Sequence, residues 1–470
     1  MDKKRIIIII LVILILFGIY TLYNTFAVST IASNNESNVY NITIGEGTTI
    51  TVPKGSSKTI YFHLKNTNNG SVKYALGYNT TANIEVKVYE DSKDKVSDII
   101  GYTENKYIKL YLKNPTNNSN AVTITSVLGY ENGGELIVPD GITLITEKYF
   151  APIALSEHIT KLYTNASKTK AQNNGIDYNY ASSESLMNDR LGGTTTSLDG
   201  GNIRYYGASP NNYIYFNCET YPDTNCELWR IIGVFDGKVK IIRNKSIGAY
   251  LWDTSTNEWS QAKLMKLLNP GYENGSVGGS LYYYGKKGTC YETSMFNTTS
   301  CDFTSTGIKN DTTRNKIAEV TWNLGGYHSD RIFSNQIYGY ERGTNVYSGS
   351  PTWTGRVALA YPSDYGYATD FNSCAGNLFT FNTNSNTCIS NDWMVPIIIT
   401  YGTTPGWLLT PNSSKTNVAF MVYSSGNVTS DLLGVSNNSR VTPTLFLNST
   451  ETIYKDKATG SKDNPYKLTP

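Results

Sequence analysis

The stretch Glu227-Leu228-Trp229-Arg230-Ile231-Ile232-Gly233-Val234-Phe235-Asp236-Gly237-Lys238-Val239-Lys240-Ile241-Ile242 decides how this chain is read. Aromatic and β-branched residues dominate the first arm, Lys238–Ile242 returns with alternating character, and Asp236-Gly237 is a pair that tolerates the positive φ of a tight turn. The pattern therefore predicts an antiparallel hairpin. Upstream, Tyr213-Ile214-Tyr215-Phe216 predicts another strand, joined to the hairpin by a loop that Cys218 and Cys226 flank. All seven Trp and all six Cys lie at or beyond residue 218, so the densest core is expected here.

At 470 residues the chain exceeds one ordinary core, which predicts two folded domains with connecting segments. Forty basic against thirty-eight acidic side chains leave a net charge of +2, which excludes a general polyanion or nucleic-acid binder. The 37 Tyr and 40 Gly, with abundant Asn, Ser and Thr, favour turns and strands over helices, as in extracellular β-rich proteins. Six cysteines allow fifteen connectivities. Local bridges need the least loop closure, so Cys218–Cys226, Cys290–Cys301 and Cys374–Cys388 are the expected pairs in an oxidising compartment. With no Cys-x-x-Cys and three His in all, neither a metal nor another cofactor is expected.

Taken in order, the chain opens with Lys3-Lys4-Arg5 and an apolar run from Ile6 to Tyr20. Residues 1–27 read as a signal-anchor, a membrane helix whose basic end stays in the cytoplasm, with Thr25-Phe26-Ala27 offering a cleavage site if it is cut. The expected location is the cell membrane with the remainder extracellular, or secretion after cleavage. Residues 28–38 read as a tether. From 39 to 147, period-two alternation recurs, as in Ile60/Phe62/Leu64, Ile84/Val86/Val88, Ile108/Leu110/Leu112 and Val122/Ile124. It predicts a β-sandwich of immunoglobulin-like type acting as a stalk. Residues 148–187 read as a linker with a short helix over Leu155–Tyr163 capped by Ser156. Residues 188–470 form the expected head domain. It has helices over Trp259–Asn269 and Asp311–Val320 and closing strands around Trp407–Pro411, Ala419–Val428 and Arg440–Leu447.

Four segments carry a resemblance: Glu227–Phe235, Leu267-Leu268-Asn269-Pro270, Tyr361–Thr369 and Gly460–Leu468. Over roughly 186–470 the chain resembles a family of uncharacterised, exported, cysteine-bearing proteins of Gram-positive gut bacteria. The layout of hairpin, two helices, long loops and closing strands is also similar to C-type-lectin-like and formylglycine-generating-enzyme-like folds. That resemblance implies an α+β head with long disulfide-closed loops, on a chain that is mostly β overall. Lectins of this type that bind sugar through calcium use Trp-Asn-Asp. Here Asn391-Asp392-Trp393 holds those residues in another order, and the partner motif is absent.

Chemistry-bearing residues are sparse. Ser260-Gln261-Ala262-Lys263 matches Ser-x-x-Lys, in which a lysine one helical turn away activates a serine. Its companion motifs are missing, and a capping serine with a solvated lysine explains it as well. His328 beside Asp330 suggests a base with an orienting carboxylate, against the plainer reading of a surface-loop histidine. Asp364, Asp370 and Asp392 lie on oxygen-rich loops whose spacing fits no calcium motif. What stands out is aromatic density on the late loops. Trp353, Tyr361, Tyr365, Tyr367, Trp393 and Tyr401 are interleaved with Ser, Asn, Gly and Thr, a composition typical of binding surfaces, though a core of this size also consumes rings. The expectation is a non-enzymatic, adhesin-like surface protein that recognises a glycan or a protein through those six residues, with no nucleic-acid partner. Alternatives are a cell-envelope hydrolase or modifying enzyme using Ser260/Lys263 or His328, and a structural surface-layer component.

Overall fold

A computed structural model describes residues 38–129, 136–173, 176–190, 201–291, 297–370, 374, 377–381, 387–431, 433–454 and 458–470. The expected membrane helix and nearly all of the tether lie outside these residues. Among the described residues no helix is long and apolar enough to cross a membrane. The protein is mostly β, and it divides into a unit ending at Ala151 and a unit from Pro152 to Pro470.

The first unit is built on two sheets. One orders the strands Val39–Thr43, Ser57–Lys65, Asn105–Lys113, Glu85–Tyr89 and Lys148–Tyr149, and the other runs Gly47–Val52, Asn120–Gly129, Val72–Asn79 and Ser97–Ile100. The alternation read from the sequence sets the inward faces. Phe62 lies opposite Ile108 and Ile60 opposite Leu110. These side chains join Ile50, Leu76, Val122 and Ile124 of the other sheet in one buried core. No Trp or Cys takes part, so the core rests on aliphatic side chains with Phe62, Tyr40 and Tyr74.

In the second unit the predicted hairpin is present. Glu227–Phe235 pairs antiparallel with Lys238–Arg243, Val234 lies opposite Val239, and the register shifts between Ile231 and Gly233. Asp236 and Gly237 turn with φ of 48° and 74°, the left-handed region that this pair tolerates. The hairpin sits inside a ten-stranded sheet, between Ile203–Tyr205 on one side and Thr444–Phe446 on the other. Both faces of that sheet are covered. Trp229, Ile231, Val239 and Ile241 enter one core, while Ile232, Phe235 and Ile242 enter a second. That explains why Ile231–Phe235 reads as a continuous apolar run, although the returning arm Lys238–Ile242 alternates. At Gly233 the backbone of the next strand comes so close that an added Cβ would lie 2.2 Å from the Ile203 carbonyl oxygen.

The stretch 148–187 is not a linker. Lys148–Tyr149 pairs with Glu85–Tyr89, while Thr169–Asn173, Ile176–Ala181 and Leu186–Asn188 extend the ten-stranded sheet. Its helix spans Leu155–Asn165 and starts before Ser156, so Ser156 is not its cap. Leu155, Ile159 and Tyr163, spaced four apart, are the buried residues of that helix. The helix predicted over Trp259–Asn269 is broken. A 3₁₀ turn covers Trp259–Gln261, Ala262 is extended (φ −59°, ψ 140°), and an α-helix covers Lys263–Leu268. Of Asp311–Val320 only Asp311–Asn315 is helical, capped by the Asn310 side chain, and Val320 begins a strand.

All three expected disulfides form: Cys218–Cys226, Cys290–Cys301 and Cys374–Cys388. Cys290–Cys301 staples the paired strands Lys287–Tyr291 and Thr298–Asp302.

Candidate functional site

The six aromatic residues nominated from the sequence are not one surface. Tyr361, Tyr365, Tyr367 and Trp393 are only 4%, 0%, 1% and 2% exposed. The reason is local: every residue of the short helix Pro362–Tyr367 is buried, so its tyrosines fill the core. Three of their polar ends bond the backbone inside. The Tyr361 hydroxyl bonds the Asn323 backbone, the Tyr365 hydroxyl donates to the Gly426 carbonyl at 2.7 Å, and Trp393 Nε1 donates to the Tyr205 carbonyl at 3.0 Å. Trp353 is half-buried, edge-on to Trp259. Only Tyr401, 57% exposed, stands in solvent.

The Ser-x-x-Lys reading fails on backbone geometry. Because Ala262 is extended, Ser260 and Lys263 do not share a helical turn. Ser260 Oγ donates to Glu258 at 2.7 Å, and Lys263 pairs with Asp253 at 3.6 Å. Each has its own carboxylate, and neither activates the other.

His328 lies in more promising company. It lines a groove of about 620 Å³ together with Asp330, Arg331, Phe379, Tyr423 and Asp431. Hydroxyl and amide side chains, Ser329, Ser425, Asn427, Thr429 and Ser430, together with Val428, complete the walls. His328 and Tyr423 are exposed. The His328 ring lies 4.4 Å from Tyr327, which in turn stacks on Tyr340 at 4.1 Å. Arg331 sits 4.8 Å over the Phe379 ring, and Asp431 is paired with Lys415. Open shape, ring faces and dense hydroxyls suit a ligand that offers both a flat apolar face and many hydroxyl groups.

A second concavity, of about 340 Å³, lies against a charge network that sequence reading missed. Arg204 Nε donates to Asp189 at 2.6 Å and Arg204 Nη1 to Asp364 at 3.0 Å. Lys240 pairs with the other Asp364 oxygen, which also accepts the Tyr361 amide at 3.0 Å as a helix cap. Glu341 accepts the Ser363 amide and hydroxyl at 2.9 and 2.5 Å and pairs with Arg342 at 3.2 Å. Arg204, Lys240, Asp189, Glu341 and Asp364 are all buried. Burial pulls the Lys240 ammonium down to about 8 against the pull of Asp364, and pushes the Glu341 carboxyl up to about 7. Burial alone would raise Asp364, but Lys240 and Arg204 outweigh it and hold that carboxyl below its usual range.

These residues escaped notice because Val239-Lys240-Ile241 and Ile203-Arg204-Tyr205 look like outward positions of half-exposed strands. Asp392 is also buried, far above its usual carboxyl range through desolvation. Among the described residues no group of three or more His, Cys, Asp or Glu could hold a metal ion. Comparison with protein families, with curated proteins and with solved structures finds no match to this chain.

Proposed function

We propose that this is a cell-surface, non-enzymatic binding protein that recognises a glycan in the groove formed by His328, Phe379 and Tyr423. In this reading residues 1–27 anchor the chain, the first unit is an immunoglobulin-like stalk, and the second is a C-type-lectin-like head. Two sheets around one core support the stalk, and short elements with disulfide-closed loops support the head. The observation that carries the function is the groove itself. The rings of Phe379, with Arg331 over it, and of Tyr423 line the groove together with Ser425, Asn427, Thr429 and Ser430, the pairing of aromatic and hydroxyl-matching groups that a pyranose needs.

The test is a glycan array of mucin-type and cell-wall saccharides, probed with the oxidised protein with and without calcium. Saturable binding that Tyr423→Ala reduces at least about ten-fold is the expected result, equivalent to ~1.4 kcal/mol. A blank array under both conditions overturns the glycan reading. One observation favours a hydrolase instead: His328, Asp330 and Asp431 line the same groove. Release of new reducing ends from a bound saccharide, abolished by Asp330→Asn, would establish it.

A further inference from the structure

We propose that the cavity over Lys240 is a second site, built for a small zwitterion such as a free α-amino acid, held with its carboxylate inward and its ammonium outward. The charges lining the cavity are sorted by depth. Lys240 is buried and Lys238 and Arg342 half-buried, whereas Asp236 and Glu319 are exposed. A ligand that enters thus meets carboxylates first and cations last.

The walls between them are aromatic. Lys240 Nζ lies 4.3 Å from the Tyr361 ring centre and 5.2 Å from that of Trp322. Arg342 lies 3.3 Å over Tyr338, and all of these rings line the cavity. Rings that flank the cations exclude water and lower the local dielectric, so a carboxylate arriving there gains more than it would at an open surface. The volume, about 340 Å³, is at the small end of ligand pockets and admits an amino acid rather than a chain of sugars.

A further cation lies behind the rings. Arg204 stacks 4.6 Å from Phe235 and 5.6 Å from Tyr338, two of the lining rings. Its Nη2 is buried and has no hydrogen-bond partner among the described residues. Arg204 is not itself part of the lining, so it acts on the cavity through its charge, from behind those rings. The network beneath is suited to receive a negative charge: Arg204, Lys240 and Arg342 face Asp189, Asp364 and a Glu341 whose carboxyl burial pushes up to about 7. The half-buried Asn323 adds a polar edge for orientation.

This site is independent of the glycan groove, and its test is separate. L-phenylalanine, chosen because its ring matches the walls, is titrated into the full-length protein by calorimetry, alongside N-acetyl-phenylalanine and phenylalanine amide. The expected result is saturable binding of the amino acid, with each analogue weaker by roughly 10- to 100-fold, the loss of one charge-assisted contact. Arg342→Gln, which alters a half-buried side chain, is expected to weaken phenylalanine at least about ten-fold and leave the melting temperature within a few degrees. Lys240→Met is the stronger change but risks the fold, so it is scored only if its circular dichroism matches the parent. Absence of phenylalanine binding overturns the proposal. So does equal binding of the acetylated or amidated compound, because one of the two charge contacts then does not exist.

Discussion

Glu341 carries a proton near neutrality because burial disfavours its charge, although Arg342 pulls the other way. Its folded-state value of about 7 lies above the ordinary 4.5, so the folded chain binds the proton more tightly than the unfolded one. The resulting stabilisation is complete below pH 4.5 and is lost as pH rises through 7. Glu341→Gln keeps the shape of the group while removing the titration. Urea denaturation across this range is expected to show a flatter pH profile for the variant, and parallel profiles would show that Glu341 titrates normally. Asp364 behaves oppositely. It holds Lys240 and Arg204 together, and Asp364→Ala strands both cations in the interior. The expected loss is about 3–5 kcal/mol by denaturant titration. Removing the exposed Lys415–Asp431 pair through Lys415→Ala is expected to change stability by less than about 0.5 kcal/mol. A loss for Asp364→Ala no larger than that would mean water reaches the network.

At the scale of elements, the hairpin was legible because its turn chemistry and strand content agree, and the disulfides because each pair is close in sequence. The sandwich strands were legible for the same reason as the hairpin, since Ile60, Phe62 and Leu64 alternate with polar neighbours. Illegible were the elements whose identity depends on tertiary covering. Thr169–Asn173 and Ile176–Ala181 have the polar composition of a linker but become strands by adding to an existing edge. The tyrosines of Pro362–Tyr367 look like a loop surface, yet the helix is swallowed whole. The groove and the charged cavity are assembled from residues far apart in the chain, with no spacing that marks them. Gly233→Ala tests how tightly the sheet is packed. Its Cβ would clash with the Ile203 carbonyl, and the expected loss is of the order of 1–3 kcal/mol, read as a lower urea midpoint with an unchanged slope. A neutral substitution would show that the strand pair can part without penalty.

For the whole molecule, covalent reinforcement is one-sided. Every cysteine lies in the second unit, and the first has none. Loops of 8, 11 and 14 residues each contribute about 2.5–3 kcal/mol in the chain-entropy account. Calorimetry with and without reductant is therefore expected to shift only the transition of residues 152–470 downward. A shift in both, or in neither, would contradict this assignment of the bridges' effect.

Tyr466–Lys467 pairs in parallel with Tyr213–Phe216, and the neighbouring Leu468 side chain is fully buried. A strand made at residue 213 thus acquires this neighbour only some 250 positions later, once residue 467 has emerged. At a synthesis rate of about 5–20 residues per second, that interval lasts tens of seconds at most, during which Ile214 and its neighbours offer an open edge. Nascent chains halted before residue 460 would remain protease-sensitive in this unit while the first unit, whose strands all lie within residues 39–149, is already closed. The order of manufacture alone separates the two halves in time.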